Sequence, residues 1–303
     1  MPELPDVVVY VEHLQRRLIG ARLERVRVRS LNLLRTADPP LEACDGRAVT
    51  GVTRLGKRIV LALEREWFLA IHLMISGRFR WRDAAATPVA IPGKVGLAAF
   101  DFDRGTLLLT EASSHQRAAL HVLAGTPELR ALDPGGLEPL EASREEFALR
   151  LRLEDHTLKR ALTDPRLFSG IGNSYSDEIL HRARLSPLRR TARLDDATIE
   201  TLWNATREVL TEWTERLRSQ SGDRFPEKVT AFRPEMAVHG RFKLPCPVCG
   251  APVQRIVYAE HETNYCARCQ TGGRLLADRA LSRLLKRDWP RSLEELEESR
   301  RPD

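Results

Sequence analysis

The chain has 303 residues, 42% hydrophobic and 30% charged, a composition that excludes a disordered or fibrous protein and leaves room for two medium domains. Lys and Arg outnumber Asp and Glu by 48 to 42, a formal net charge of +6, which favours a polyanionic partner. No apolar run approaches the roughly 18 residues of a membrane span, and the opening MPELPDVVVY is acidic where a secretory leader is basic, so no membrane role and a cytoplasmic location are expected.

In chain order, residues 5–19 read as a helix, with Pro5 and Asp6 in its first turn, Gly20 at its end and Val7, Val11, Leu14 and Leu18 on one face. From about 22 to 125 the texture is that of short strands. The segments RLERVRVRS, RAVTGVTRL, RIVLALE, WFLAIHLM, RFRWR, GLAAFDF and GTLLLTEA are punctuated by Gly51, Gly56, Gly77 and Gly105. A Pro- and Gly-rich stretch then reads as a linker. Helices follow: Ser143 and Glu146 form a capping box before FALRLRL, and further helical pieces lie in DHTLKRALTDP and NSYSDEILHRARLSP. A long helix runs from about Asp195 to Leu217, and Ser219 to Lys243 looks like a loop. After a cysteine module, RLLADRALSRLLKRDW is amphipathic and SLEELEESRRPD reads as a solvated, frayed end.

The fold class is therefore α+β with two domains. An N-terminal helix and antiparallel β-sandwich fill 1–128, a linker covers 129–142, and a helical domain covers 143–240. A zinc finger occupies 241–273 and a helical extension 274–303. Cys246-Pro-Val-Cys249 and Cys266-Ala-Arg-Cys269 place four thiolates on two knuckles, the ligand set of one structural Zn2+ with no open coordination position. Cys44, the fifth cysteine, has no such partner and reads as a small buried residue.

Four segments, in order, carry a resemblance: the MPELPD start, Gly56-Lys57 within RLGKRIVLAL, the HLMISG stretch, and GIGNSYSDEIL before the cysteine pairs. Together they resemble the formamidopyrimidine-DNA glycosylase and endonuclease VIII family, closer to the former branch, over residues 1 to about 270. The resemblance implies base-excision repair of double-stranded DNA carrying a damaged base or abasic site, by a monomeric, nucleoid-associated glycosylase with AP-lyase activity. Pro2, once Met1 is removed, would be the nucleophile and Glu3 the general acid. A secondary amine with a pKa near 8 suits attack on a sugar carbon at neutral pH. Asp6, where the family usually has Glu, would cap the helix or assist proton transfer. Lys57 would contact the phosphate beside the lesion, His72 would face the DNA, and Met74 would fill the space left by a flipped base. Lys159 and Asn173 would touch phosphate, the latter at a helix N-terminus of a helix-two-turn-helix element, while Glu178 would anchor that helix and Tyr175 would pack.

The pattern departs from the family at the finger and in one strand loop. His261 stands where the finger carries a phosphate-clamping arginine, with Arg255 and Arg268 nearby as candidates to compensate. The family's Arg-Arg-Phe run in the strand loop is replaced by Ser113, Ser114, His115, Gln116 and Arg117, of which His115 or Gln116 would read the orphan base. Two other readings fit the same residues: the same fold acting on oxidised pyrimidines, hydantoins or single-stranded DNA, or a zinc-ribbon DNA-binding protein with weak catalysis.

Overall fold

A computed structural model describes the chain except for residues 114, 228, 230–232, 259–260, 277–289 and 299–303. It contains two compact units, residues 1–135 with 212–231 and residues 136–211 with 232–303. The first crossing falls inside the stretch read as a linker, whose opening residues belong to a short helix, Thr126–Ala131. The segment after the long helix rejoins the first unit, where a single division would leave it in the second. Its apolar side chains explain the return: Val229 is buried in the sandwich core, and the Phe225 ring lies 5.8 Å from Tyr10.

The first unit opens with α1 (Leu4–Leu18). Its Val7, Tyr10, Leu14 and Leu18 recur at helical spacing and all join the core. Eight strands follow: β1 (Leu23–Val28), β2 (Val49–Leu55), β3 (Arg58–Leu63), β4 (Trp67–His72), β5 (Gly77–Asp83), β6 (Gly96–Phe102), β7 (Gly105–Glu111) and β8 (Ala119–Ala124). The first seven match the expected segments; β8 was not among them. They form two antiparallel four-stranded sheets, ordered β1-β6-β7-β5 and β2-β3-β4-β8. Alternation decides which side chains face inward. Leu61, Leu69, Ile71, Leu120 and Val122 enter the core from the second sheet, while Arg58, His72 and His121 occupy its opposite face. The helix Thr126–Ala131 is α2; its Leu129, with Leu132 just beyond, packs against Val60, Ala70 and Leu123 on that outer face.

The second unit contains α3 (Arg144–Arg152), α4 (Leu158–Thr163), α5 (Asn173–Arg182) and the opening of α6 (Asp196–Ser221). The capping box of α3 is as expected: Glu146 N–H donates to Ser143 Oγ at 3.2 Å and Ser143 N–H to Glu146 Oε2 at 2.8 Å. The hairpin β9 (Gln254–Tyr258) and β10 (His261–Tyr265) leads to α7 (Ala267–Thr271) and, beyond the undescribed stretch, to α8 (Leu293–Glu298). The amphipathic stretch expected after the finger falls largely on 277–289, outside the described residues. At the start of the stretch read as a frayed end, Leu293 departs from that reading: it is 2% exposed within the finger's apolar cluster, and its N–H donates to the Gly273 carbonyl at 3.0 Å; residues 299–303 lie outside the described residues.

Candidate active site and zinc centre

The chain start is held by local geometry. Asp6 accepts the Glu3 N–H at 3.0 Å, and with Glu3 as N-cap this forms a capping box at the head of α1. Of the two roles open to Asp6, capping is the one seen. Pro2 and Glu3 are buried, Glu3 at 1% exposure. The terminal amine, here that of Met1, has its pKa lowered chiefly by burial. Arg78 and Lys57 push in the same direction, and Glu3 and Asp6 oppose them. Two cations and two carboxylates thus act on one amine, and the net lowering favours the neutral, nucleophilic form. Arg78 on β5 went unnoticed in the sequence; nothing local distinguishes it from the other arginines of RFRWR.

Lys57 occupies a two-residue turn, since Leu55 pairs with Arg58 across it. Gly56 takes φ +61° there, a value glycine adopts without steric cost. His72 ends β4 and accepts the Met74 N–H at Nδ1, 3.0 Å away. A backbone N–H can only donate, so the neutral ring carries its proton on Nε2 and presents a donor there. Burial, reinforced by Arg58, Lys57 and His121, pushes the His72 pKa down to about 4.

Met74 itself is half-buried and lies in the left-handed region at φ +51°, while the next residue, Ile75, is 55% exposed. At this turn Ile75 presents the open apolar side chain. The sequence pointed to Met74 because an unbranched side chain suits a wedge, and backbone conformation was not visible. The turn closes where Gly77 N–H donates to Leu73 O at 2.9 Å. A Cβ at position 77 would overlap that carbonyl, so the glycine of HLMISG is required by packing. Buried Glu111 accepts from Ser76 Oγ at 3.1 Å and from the backbone N–H groups of Arg117 and Ala118, both at 2.9 Å. One carboxylate therefore ties the Met74–Ile75 turn to the end of the idiosyncratic 112–117 loop. Within that loop His115 is exposed and Gln116 half-buried.

In the second unit, Lys159 and Asn173 are already engaged. The Lys159 ammonium contacts Asp177 Oδ1 at 2.5 Å and donates to the Asn173 carbonyl at 2.7 Å. Asn173 Nδ2 donates to the Glu262 carbonyl of the finger hairpin at 2.7 Å. Asp177, fully buried, also meets His239 Nδ1 at 2.8 Å and accepts the Asn264 N–H at 3.1 Å. Glu178 is the anchor expected of it, accepting the N–H groups of Ala237 (2.7 Å), Val238 (2.9 Å) and His239 (2.9 Å). Burial raises its pKa and those three donors work against the rise. Tyr175, expected to pack, is 1% exposed. Asp177 and His239 escaped the sequence reading because they lie 62 residues apart. His261 opens β10, its backbone paired with Tyr258; its side chain is outside those described. Of the neighbours proposed to compensate for it, Arg255 pairs with Glu262 at 3.2 Å and stacks on Phe242 at 4.3 Å, while Arg268 donates to the Cys249 carbonyl at 3.4 Å.

The ligand sulfurs of Cys246, Cys249, Cys266 and Cys269 all lie within 4.8 Å of one another. The Cys246–Cys269 pair is 3.9 Å apart and the Cys249–Cys266 pair 3.4 Å. Bonds of about 2.3 Å to a tetrahedral zinc separate sulfurs by about 3.8 Å, whereas a disulfide needs about 2 Å. The four cysteines fit one structural Zn2+. Among the described residues no other group of three or more His, Cys, Asp or Glu side chains converges in this way, and no helix is long and apolar enough to cross a membrane.

Three domain descriptions match the chain in succession. These are the formamidopyrimidine-DNA glycosylase N-terminal domain over residues 1–171, the formamidopyrimidine-DNA glycosylase H2TH domain over 136–223, and a zinc finger found in FPG and IleRS over 243–272. In that order they define a class, the zinc-finger DNA glycosylases of DNA repair. The formamidopyrimidine-DNA glycosylase of Thermus thermophilus is 34% identical over 284 residues, covering 90% of this chain and 100% of its own. The crystal structure of the MutM (Fpg) protein from the same organism aligns with a TM-score of 0.74 at 32% identity, covering 89% of this chain and 98% of the other. The Lactococcus lactis Fpg in complex with an abasic-site DNA aligns with a TM-score of 0.77 at 23% identity, covering 89% and 99%. The chain belongs to the formamidopyrimidine-DNA glycosylase family.

Proposed function

We propose that the protein excises an oxidised base from duplex DNA and then cleaves the strand, with the Pro2 amine as nucleophile and Glu3 as its acid. The supporting observation is the chain start itself: a buried carboxylate adjoins Pro2, and Lys57 and Arg78 help depress the pKa of the neighbouring amine. Removal of Met1 frees a secondary amine. Its lone pair attacks C1′ of the damaged nucleotide, the bond from C1′ to the base breaks with its electron pair leaving on the base, and the proton shed by the amine nitrogen neutralises the departing base. Glu3 protonates the ring oxygen as the sugar opens, leaving an iminium between C1′ and the Pro2 nitrogen. The iminium acidifies C2′. Loss of that proton to the Glu3 carboxylate expels the 3′ phosphate, and a second elimination expels the 5′ phosphate.

In this reading Lys57 and the Nε2–H of His72 hold phosphates beside the lesion, and the Met74–Ile75 turn fills the vacated stack. From the second unit, Asn173, whose amide has a second N–H beyond the one given to Glu262, and the residue at position 261 serve the backbone; Lys159 adds its charge to that end of the helix while paired with Asp177 and the Asn173 carbonyl. The likeness to a protein solved with abasic-site DNA supports the substrate class.

The test is borohydride trapping on duplexes carrying 8-oxoguanine, a formamidopyrimidine, a hydantoin, thymine glycol or an abasic site, with the intact N-terminus weighed by mass spectrometry. A covalent adduct is expected with the processed protein, and none with Pro2→Gly or with an uncleaved N-terminal extension. A processed protein that gives no adduct on any duplex overturns the proposal.

A further inference from the structure

Helix α5 does more than present Asn173. Positions 173, 177, 178 and 181 are spaced i, i+4, i+5 and i+8 and share a face. The first three bind backbone groups of the finger and the segment leading into it, at Glu262, Asn264 and 237–239. The fourth reaches a metal ligand. His181 Nε2 lies 3.3 Å from Cys246 Sγ, and both residues are buried.

A zinc-bound cysteine is a thiolate with no proton to give, so the hydrogen in this contact belongs to the imidazole. Four thiolates around one Zn2+ leave two excess negative charges in a largely desolvated place. A donor to one sulfur spreads that excess and fixes the sulfur's direction. We propose that His181 is an outer-shell positioning residue of the zinc site, its Nε2–H donating to the Cys246 thiolate and joining the metal to helix α5. The Cys246–Cys249 knuckle is then anchored from two sides, by the metal and by the same helix whose first residue holds the Glu262 carbonyl.

The test compares wild-type zinc-loaded protein with His181→Phe, which fills the space without a donor, and His181→Gln, which keeps a side-chain N–H. Zinc transfer to a chromophoric chelator is followed at fixed pH, and the thiolate-to-metal charge-transfer band is recorded on Co2+-substituted samples. His181→Phe is expected to release zinc about 10–100-fold faster and to move the cobalt band to longer wavelength, while His181→Gln stays close to wild type. If His181→Phe gives no soluble protein, His181→Met takes its place with the same reading. Equal release from all three proteins overturns the proposal. So does equally fast release from both variants with an unmoved band, because that pattern reflects packing alone.

Discussion

The two units hold their candidate site residues by opposite means. In the first, a continuous apolar core drawn from α1 and both sheets sets the scaffold, and backbone turns aim the side chains. Lys57 follows a left-handed glycine, and Met74 is itself left-handed in a turn that closes on Gly77. Around the finger of the second unit, the apolar cluster has nine buried members among the described residues, two of them cysteines, a small set on which to define a geometry by burial. Buried carboxylates and four thiolates do so instead. Apolar burial is non-directional and spreads its contribution over many contacts, whereas a carboxylate with three donors concentrates it. The difference predicts which perturbations stay local.

The largest effect should come from the metal. Chelation removes a contribution of about 10–16 kcal/mol from a module whose apolar cluster is small among the described residues. Hydrogen exchange should then show β9 and β10 amides losing protection while β3 and β4 amides keep theirs. Equal loss in both places would erase the contrast.

A smaller and opposite break is Gly77→Ala. Its Cβ would meet the Leu73 carbonyl, so the turn must open. Roughly 3 kcal/mol of stability should be lost in chemical denaturation, with chelator-driven zinc release unchanged. Altered zinc release in this variant would contradict the separation.

The smallest effect is a pH dependence. His72 titrates near pH 4 in the folded protein against an ordinary value of 6.5. As pH falls from 6.5 toward 4, the unfolded chain takes up the proton first, so the His72 share of stability is complete above 6.5 and is lost through that window. That share is about 1–3 kcal/mol. His72→Gln, which can still accept the Met74 N–H, should flatten the decline measured by denaturation at pH 7 and pH 5. An unchanged slope would remove His72 from the account.

What the sequence made legible was local. The Ser143–Glu146 box, the Gly56-Lys57 turn, the periodicity of α1 and the paired cysteine spacings each depend on residues a few positions apart. They hold because their geometry follows from helix pitch, turn type and ligand spacing. Glu111 reaching Ser76, Asp177 meeting His239, Phe225 returning to Tyr10 and Leu293 entering the finger all join residues that only the fold brings together. The Met74–Ile75 turn was hidden differently: its residue types suggested one wedge, while its backbone places the neighbouring side chain outward.

The single face of α5 has a consequence for how this chain can change over time. An α-helix turns by about 100° per residue, so deleting or inserting one residue between Asn173 and His181 would swing part of that face away from its partners. Substitutions within the stretch could be absorbed one bond at a time, but a change of length could not. The eight-residue interval from Asn173 to His181 is therefore a fixed ruler, and relatives that keep this arrangement should vary there in composition but not in number.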